Sequence, residues 1–170
     1  MKVLIGDSSI ANKRGAWDEL GILKVLQKSN PKSSGYGHIC YLHDNFVHQG
    51  PNGNHTCLVL EAMGLSVLDL YGALPGAMPL EFLKRVCKHV LQALQYLHEE
   101  CGIIHTGEYS SSFAVAFFLT LTSDIKGDNI LMAGVPSEKE QLDIELDNDY
   151  LMSTTFKLSD FGAGKLLVLI

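Results

Sequence analysis

The sequence has no C-x-x-C pair, no internal repeat, no excess of basic charge and no apolar run long enough to cross a bilayer. Each absence closes off a class. The four cysteines, Cys40, Cys57, Cys87 and Cys101, stand apart, and the chain opens without a signal-peptide pattern. They are therefore expected as reduced thiols in a cytoplasmic or nuclear protein, not as a disulfide framework. The suspicious apolar stretch at residues 113–119 is far short of the roughly 20 residues a membrane helix needs, so no membrane partner is expected. A net charge of −6 argues against direct nucleic-acid binding and is compatible with a basic peptide substrate. What is present is globular composition, 46% hydrophobic and 19% charged over 170 residues, enough for one domain with a core.

Apolar spacing gives the order of elements. Residues 1–5 are strand-like. Residues 16–27 place Trp17, Leu20, Leu23 and Leu26 at helical intervals, which predicts an amphipathic helix. Turn formers fill 29–37. Two strands are expected at 38–45 and 54–61, joined by a turn at Gly50-Pro51-Asn52-Gly53. Residues 80–98 predict a core helix whose buried face is Leu80, Leu83, Cys87, Val90, Leu91, Leu94 and Leu97. An acidic surface loop is expected at 138–149, then a short strand at 156–159. Strand, helix, hairpin, long helix, loop and strand in that order make an α+β fold.

The strongest chemical signal is Asp124-Ile125-Lys126-Gly127-Asp128-Asn129-Ile130-Leu131, followed downstream by a strand and Asp160-Phe161-Gly162. Phosphoryl transfer asks little covalent chemistry of a protein and much placement of charge. An Asp orients the attacking hydroxyl, a Lys two residues on neutralises the moving phosphate, and an Asn five residues after the Asp holds Mg²⁺. A second carboxylate, here Asp160, completes the metal site. D-F-G alone carries almost no information; downstream of D-x-K-x-x-N-I-L it is specific.

These motifs resemble the eukaryotic Ser/Thr protein kinases, and three further features resemble the SR-protein kinases among them. Ile103-Ile104-His105-Thr106 is similar to that family's His-Thr-Asp catalytic-loop start. The segment from Gly50-Pro51-Asn52-Gly53-Asn54-His55 through Leu60, Glu61 and Met63 to Gly64 resembles the strand leading into the interlobe hinge. The long separation of Asn129 from Asp160 matches a spacer that the family places there. The resemblance implies a partial kinase fold: an incomplete N-lobe sheet with one helix and the hinge over residues 1–63, and the start of the helical C-lobe, up to D-F-G, over 64–170. It implies Asp124 as base and Lys126 as phosphate contact, with Asn129 and Asp160 as Mg²⁺ ligands. Leu60 would be the gatekeeper, and the backbone of Glu61 and Met63 would bind adenine. Lys2 takes the place of the strand lysine that grips ATP, with Glu19 its ion-pair partner; the alternative for Lys2 is a solvated terminal lysine. The cofactors implied are ATP and Mg²⁺, and the partner a protein substrate such as an Arg-Ser-rich splicing factor.

Two departures from the pattern stand out. No Gly-rich phosphate loop precedes Lys2, and no activation segment follows Gly162; the apolar residues 166–170 read as a truncated or mis-predicted end. Within the chain, residues 107–123 separate Thr106 from Asp124, where the family joins them directly. Gly-Glu-Tyr at 107–109 can be written GGT-GAG-TAC, which contains the donor consensus GTGAGT. Leu121-Thr122 can encode a branch point, and Ser123-Asp124 as TCA-GAC an acceptor CAG. Excision restores an aspartate codon directly after Thr106. The two readings are a retained intron and a real loop. On either, the apolar residues 113–119 are an aggregation risk, and placing Asp124 against His105 is disturbed, where small errors cost on the order of 10²-fold in rate. The expectation is a kinase by family whose present chain is inactive, with a pseudokinase-like binding module as the alternative. A small zinc protein using four of His38, Cys40, His43, His48, His55 and Cys57 is the third reading. It lacks finger spacing, and i,i+2 pairs on strands merely share a face.

Overall fold

The computed structural model describes residues 1–4, 19–73, 76–105, 125–134, 148–161 and 164–166. Two antiparallel strands, β2 (Leu42–Gly50) and β3 (Gly53–Leu60), form the hairpin, and β1 (Lys2–Val3) pairs with the other edge of β3, Lys2 opposite Leu58. The expected strand at 38–45 starts later and runs further. Gly50 pairs with Gly53, so only Pro51 and Asn52 lie between the paired strands and pairing reaches the tip; Gly53, just after them, takes a positive φ of 107° that glycine adopts without steric cost. Residues 38–40 go elsewhere. A 3₁₀ turn covers Tyr36–His38, Ile39 bridges to Leu158, and Cys40 N–H donates to the Leu158 carbonyl at 2.9 Å.

That bridge joins the hairpin sheet to a second sheet. There β4 (Met63–Ser66), β6 (Ile130–Ala133) and β7 (Phe156–Leu158) lie in the order β4-β6-β7, all antiparallel. A third pair, β5 (Ile103–His105) with β8 (Gly164–Leu166), was not foreseen from the sequence. Between β4 and β5 run α2 (Val67–Ala73) and α3 (Leu80–Gln95). Asn148 and Asp149, expected in the acidic loop, open a short helix, α4 (Asn148–Ser153); residues 138–147 lie outside the described residues, as do 106–124.

The helix α1 (Glu19–Lys28) buries Ile22, Leu23 and Leu26, much as its periodicity predicts, and also Glu19; Trp17 lies outside the described residues. The long helix is where the expected face is mostly wrong: of that face's seven residues only Leu97 is fully buried. Its buried residues are Phe82, Val86, His89 and Ala93, continued by Tyr96 and Leu97 in a π-helical turn, whereas Leu80, Leu83, Cys87 and Leu91 are exposed and Val90 and Leu94 half-buried. Both sets have helical spacing; the real one is turned by roughly 100° about an axis of 3.6 residues per turn. The partners decide it. Phe82 meets Phe156 edge-on with ring centroids 5.4 Å apart, His89 bonds the backbone of β7, and Tyr96 Oη donates to the Leu26 carbonyl at 2.6 Å. A polar residue at the centre of the packed face hides it from an apolar count. Among the described residues no helix is long and apolar enough to cross a membrane.

Candidate active site

Lys2 and Glu19 are brought together by the pairing of β1 with β3 and by the packing of α1 against the hairpin. The Lys2 ammonium lies 2.8 Å from Glu19 Oε1 and 2.9 Å from Asp160 Oδ1. Glu19 is buried, and Asp160 enters from the loop after β7. Three residues separated by up to 158 positions thus converge on one nitrogen. Burial pulls the Lys2 ammonium down, but hydrogen bonds to Glu19 and Asp160 and their charges outweigh it, and its pKa stands above the ordinary lysine value. The amine is a fixed cation.

The end of β7 is locked to the turn before β6. Ser159 N–H and Oγ both donate to the Asn129 carbonyl, at 2.9 and 3.1 Å, and Asn129 N–H closes a 3₁₀ turn onto the Lys126 carbonyl. Asp160 itself has φ 58°, a left-handed conformation uncommon outside glycine, asparagine and aspartate and frequent where a side chain must be aimed.

A cavity of about 510 Å³ opens between these parts. Lys2, Glu19, Glu61, Met63, Asn129 and Asp160 all line it, with Leu60 on its wall. Its lining is mixed: the Lys2 cation, several oxygen groups, the backbone crossing from β3 to β4, and apolar side chains such as Leu60, Met63 and Leu131. Among the oxygen groups lining it, the Asn129 amide and the Asp160 carboxylate are hard donors, a pair that fits Mg²⁺, an ion that keeps several waters and is completed by substrate phosphates. Lys126 is exposed and does not line the cavity. Asp124 lies outside the described residues.

No family model matches the chain. Curated proteins do. Protein kinase dsk1 of Schizosaccharomyces pombe is 45% identical over 92 residues, 52% of this chain and 16% of that protein. Probable serine/threonine-protein kinase sky1 of Dictyostelium discoideum is 33% identical over 143 residues, 83% of this chain and 18% of that protein. SRSF protein kinase 3 of Mus musculus is 34% identical over 118 residues, 69% of this chain and 18% of that protein. By relatedness the chain belongs to the serine/threonine protein kinases, with the SR-protein kinases. It spans less than a fifth of the length of each of these three relatives.

Two residues of this kinase segment escaped the reading of the sequence. Cys40 lines the cavity, and burial and the nearby Glu61 carboxylate push its thiol up to about 11, so it is a neutral wall group. Lys157, inside the strand Phe-Lys-Leu before Ser-Asp-Phe-Gly, is buried and binds both oxygens of Glu61 at 2.7 and 2.8 Å. Nothing in the local sequence distinguishes it from a solvated strand lysine. The histidines and cysteines of the zinc reading are placed otherwise. His38 Nδ1 bonds the Phe156 carbonyl at 2.9 Å and His55 Nδ1 the Leu4 carbonyl at 3.2 Å. Among the described residues no three His, Cys, Asp or Glu side chains group to hold a metal.

Proposed function

We propose that the cavity is the Mg-ATP site of a kinase domain acting on protein Ser/Thr residues, of which residues 1–63 supply N-lobe and hinge and 64–170 the first part of the C-lobe. The observation that carries this is Lys2, ion-paired at once to Glu19 and Asp160 in the lining of the cavity. Lys2 grips phosphate oxygens and Glu19 holds it in place. The Glu61 carbonyl and the Met63 N–H take the adenine edge; Glu61 N–H is already spent on the Tyr41 carbonyl. Asn129 and Asp160 hold Mg²⁺, which when bound neutralises charge gathering on the transferred phosphoryl group. Asp124 accepts the substrate hydroxyl proton; Lys126, exposed and outside the cavity lining, is assigned to the phosphate by the kinase resemblance alone. The relatives make an Arg-Ser-rich splicing factor the candidate substrate.

Residues 107–123 divide Thr106 from Asp124, and this favours a second reading for the chain as it stands: a nucleotide-binding module without transfer. Excess Mg-AMP-PNP is expected to raise the melting temperature, with about 2.7 kcal/mol of stabilisation at a hundredfold excess over Kd; Lys2→Met abolishes the rise. No phosphate is expected on an Arg-Ser repeat peptide. Transfer that is lost in Asp160→Ala overturns the inactive reading, and a melting temperature indifferent to nucleotide overturns the Mg-ATP site. Amplifying transcripts across codons 106–124 is expected to give a product shorter by seventeen codons, restoring His-Thr-Asp; uniform retention identifies 107–123 as a real loop.

A further inference from the structure

Lys157 has no place in the scheme above, yet its surroundings are built around it. It stands mid-strand between Phe156 and Leu158, all three buried. A lysine so placed is costly unless its charge is matched. Both oxygens of Glu61 match it, at 2.7 and 2.8 Å, and the ammonium lies 4.5 Å from the centroid of the Tyr41 ring, within cation–π range. Tyr41 is tied to Glu61 in turn: its carbonyl accepts from Glu61 N–H at 2.8 Å, and its N–H points at Glu61 Oε2 at 3.4 Å. One residue on, Leu158 accepts from Cys40 N–H. Three segments from distant parts of the chain therefore close on one ion pair. Glu61 is the residue at the cavity edge where β3 crosses to β4, and Lys157 stands three residues before Asp160.

We infer that the Lys157–Glu61 pair is a positioning latch that fixes the β3–β4 edge of the cavity relative to Asp160 and thereby sets nucleotide affinity. The inference rests on the reading of the cavity as a nucleotide site. The latch acts in two ways. It holds the backbone of Glu61 at a set distance from the loop that carries Asp160. It also neutralises a carboxylate on the wall of a cavity that would receive a polyanion. Without Lys157 that carboxylate is left unpaired beside the ligand; removing both charges relieves it.

The test is titration of the full 170-residue chain with a fluorescent Mg-ADP analogue, with melting temperatures taken in parallel. Lys157→Met is expected to weaken binding about tenfold, within the usual range for coupled charges. Lys157→Met/Glu61→Gln is expected to regain most of that loss although it melts below wild type. Arg85→Met, which removes bonds to the Thr154 and Ser153 carbonyls away from the cavity, lowers the melting temperature and leaves affinity unchanged. Wild-type affinity in Lys157→Met overturns the latch, and so does a double variant no better than the single. If Lys157→Met does not fold, Lys157→Gln keeps a donor to Glu61 and is expected to bind roughly threefold weaker; unchanged binding there overturns the latch equally. A wild-type chain that binds no nucleotide overturns the Mg-ATP reading first and the latch with it.

Discussion

Alanine in place of Gly35 is expected to cost about 3 kcal/mol of stability, the upper part of the range for overpacking a closed site. At 2–4 °C per kcal/mol for a chain of this size, the melting temperature falls by roughly 6–12 °C. A Cβ built on Gly35 lies 2.0 Å from the Gln92 carbonyl oxygen, 2.6 Å from Tyr96 Cβ and 2.8 Å from the Gln92 carbonyl carbon. Two of the three obstacles are backbone of α3 and the third is the root of a buried ring, so none can swing aside. Gly35 has φ −82° and ψ −15°, a conformation alanine adopts freely, and alanine also restricts the unfolded chain, which by itself stabilises. The steric term therefore acts alone and against a small opposing effect. Gly37 is the control, since a Cβ there meets nothing within 4 Å, and Gly37→Ala is expected to melt at or slightly above wild type. Equal melting of Gly35→Ala would mean that the loop after α1 does not press on α3. That contact matters beyond stability. The same junction holds Tyr96 Oη on the Leu26 carbonyl, and α1 carries Glu19, so a loop forced off α3 also disturbs the carboxylate that positions Lys2.

What the sequence disclosed follows from the range of the forces that shape it. The helix α1 and the Pro51-Asn52 turn are local decisions, and local spacing revealed them. Asn129 and Asp160 were legible because each sits in a dense motif. Lys2 and Glu19 were legible only through the kinase resemblance, since nothing near Lys2 shows what it will meet. The face of α3 was misjudged because Leu80, Leu83, Leu91 and their neighbours form a helical stripe as regular as the buried one. The choice between stripes is made by Phe156, Leu26 and the loop at Gly35, all remote in sequence. The pairing of β5 with β8 joins two three-residue segments about sixty positions apart, too short to show a period of two. Lys157 was invisible for a related reason: a strand lysine is identified as buried only by the carboxylate that comes to meet it.

Lowering the pH from 7 toward 4.5 is expected to remove on the order of 2 kcal/mol of stability at His89, beyond the ordinary response of the carboxylates. His89 lies on α3 with its ring stacked on His38, centroids 4.2 Å apart and planes at 22°. The two rings clamp one residue. Phe156 N–H donates to His89 Nδ1 at 3.1 Å, and His38 Nδ1–H donates to the Phe156 carbonyl at 2.9 Å. His89 must therefore be neutral with Nδ1 bare. Burial first, then the facing His38, Arg85 and Lys88, push its pKa down to about 4. His38 is lowered in the same direction, by burial and then by Lys157, Arg85 and Lys88 against the raising effect of its bond to Phe156. The sign follows. Between the unfolded value near 6.5 and the folded value near 4, the unfolded chain binds a proton that the folded chain refuses, so stability falls as pH falls through that window. Protonated Nδ1 would also turn a donor onto the Phe156 N–H. Urea unfolding at pH 7, 5.5 and 4.5 measures the loss, and His89→Gln separates it, because the glutamine amide oxygen can still accept from Phe156 N–H but cannot take up a proton. The variant is expected to lose about 2 kcal/mol less than wild type across the same interval; an equal loss would assign the acid sensitivity to other groups. The site is exposed to the same event. Phe156 begins the strand that carries Lys157 and leads to Asp160, so acid that loosens the histidine clamp loosens both the Glu61 ion pair and the carboxylate facing Lys2.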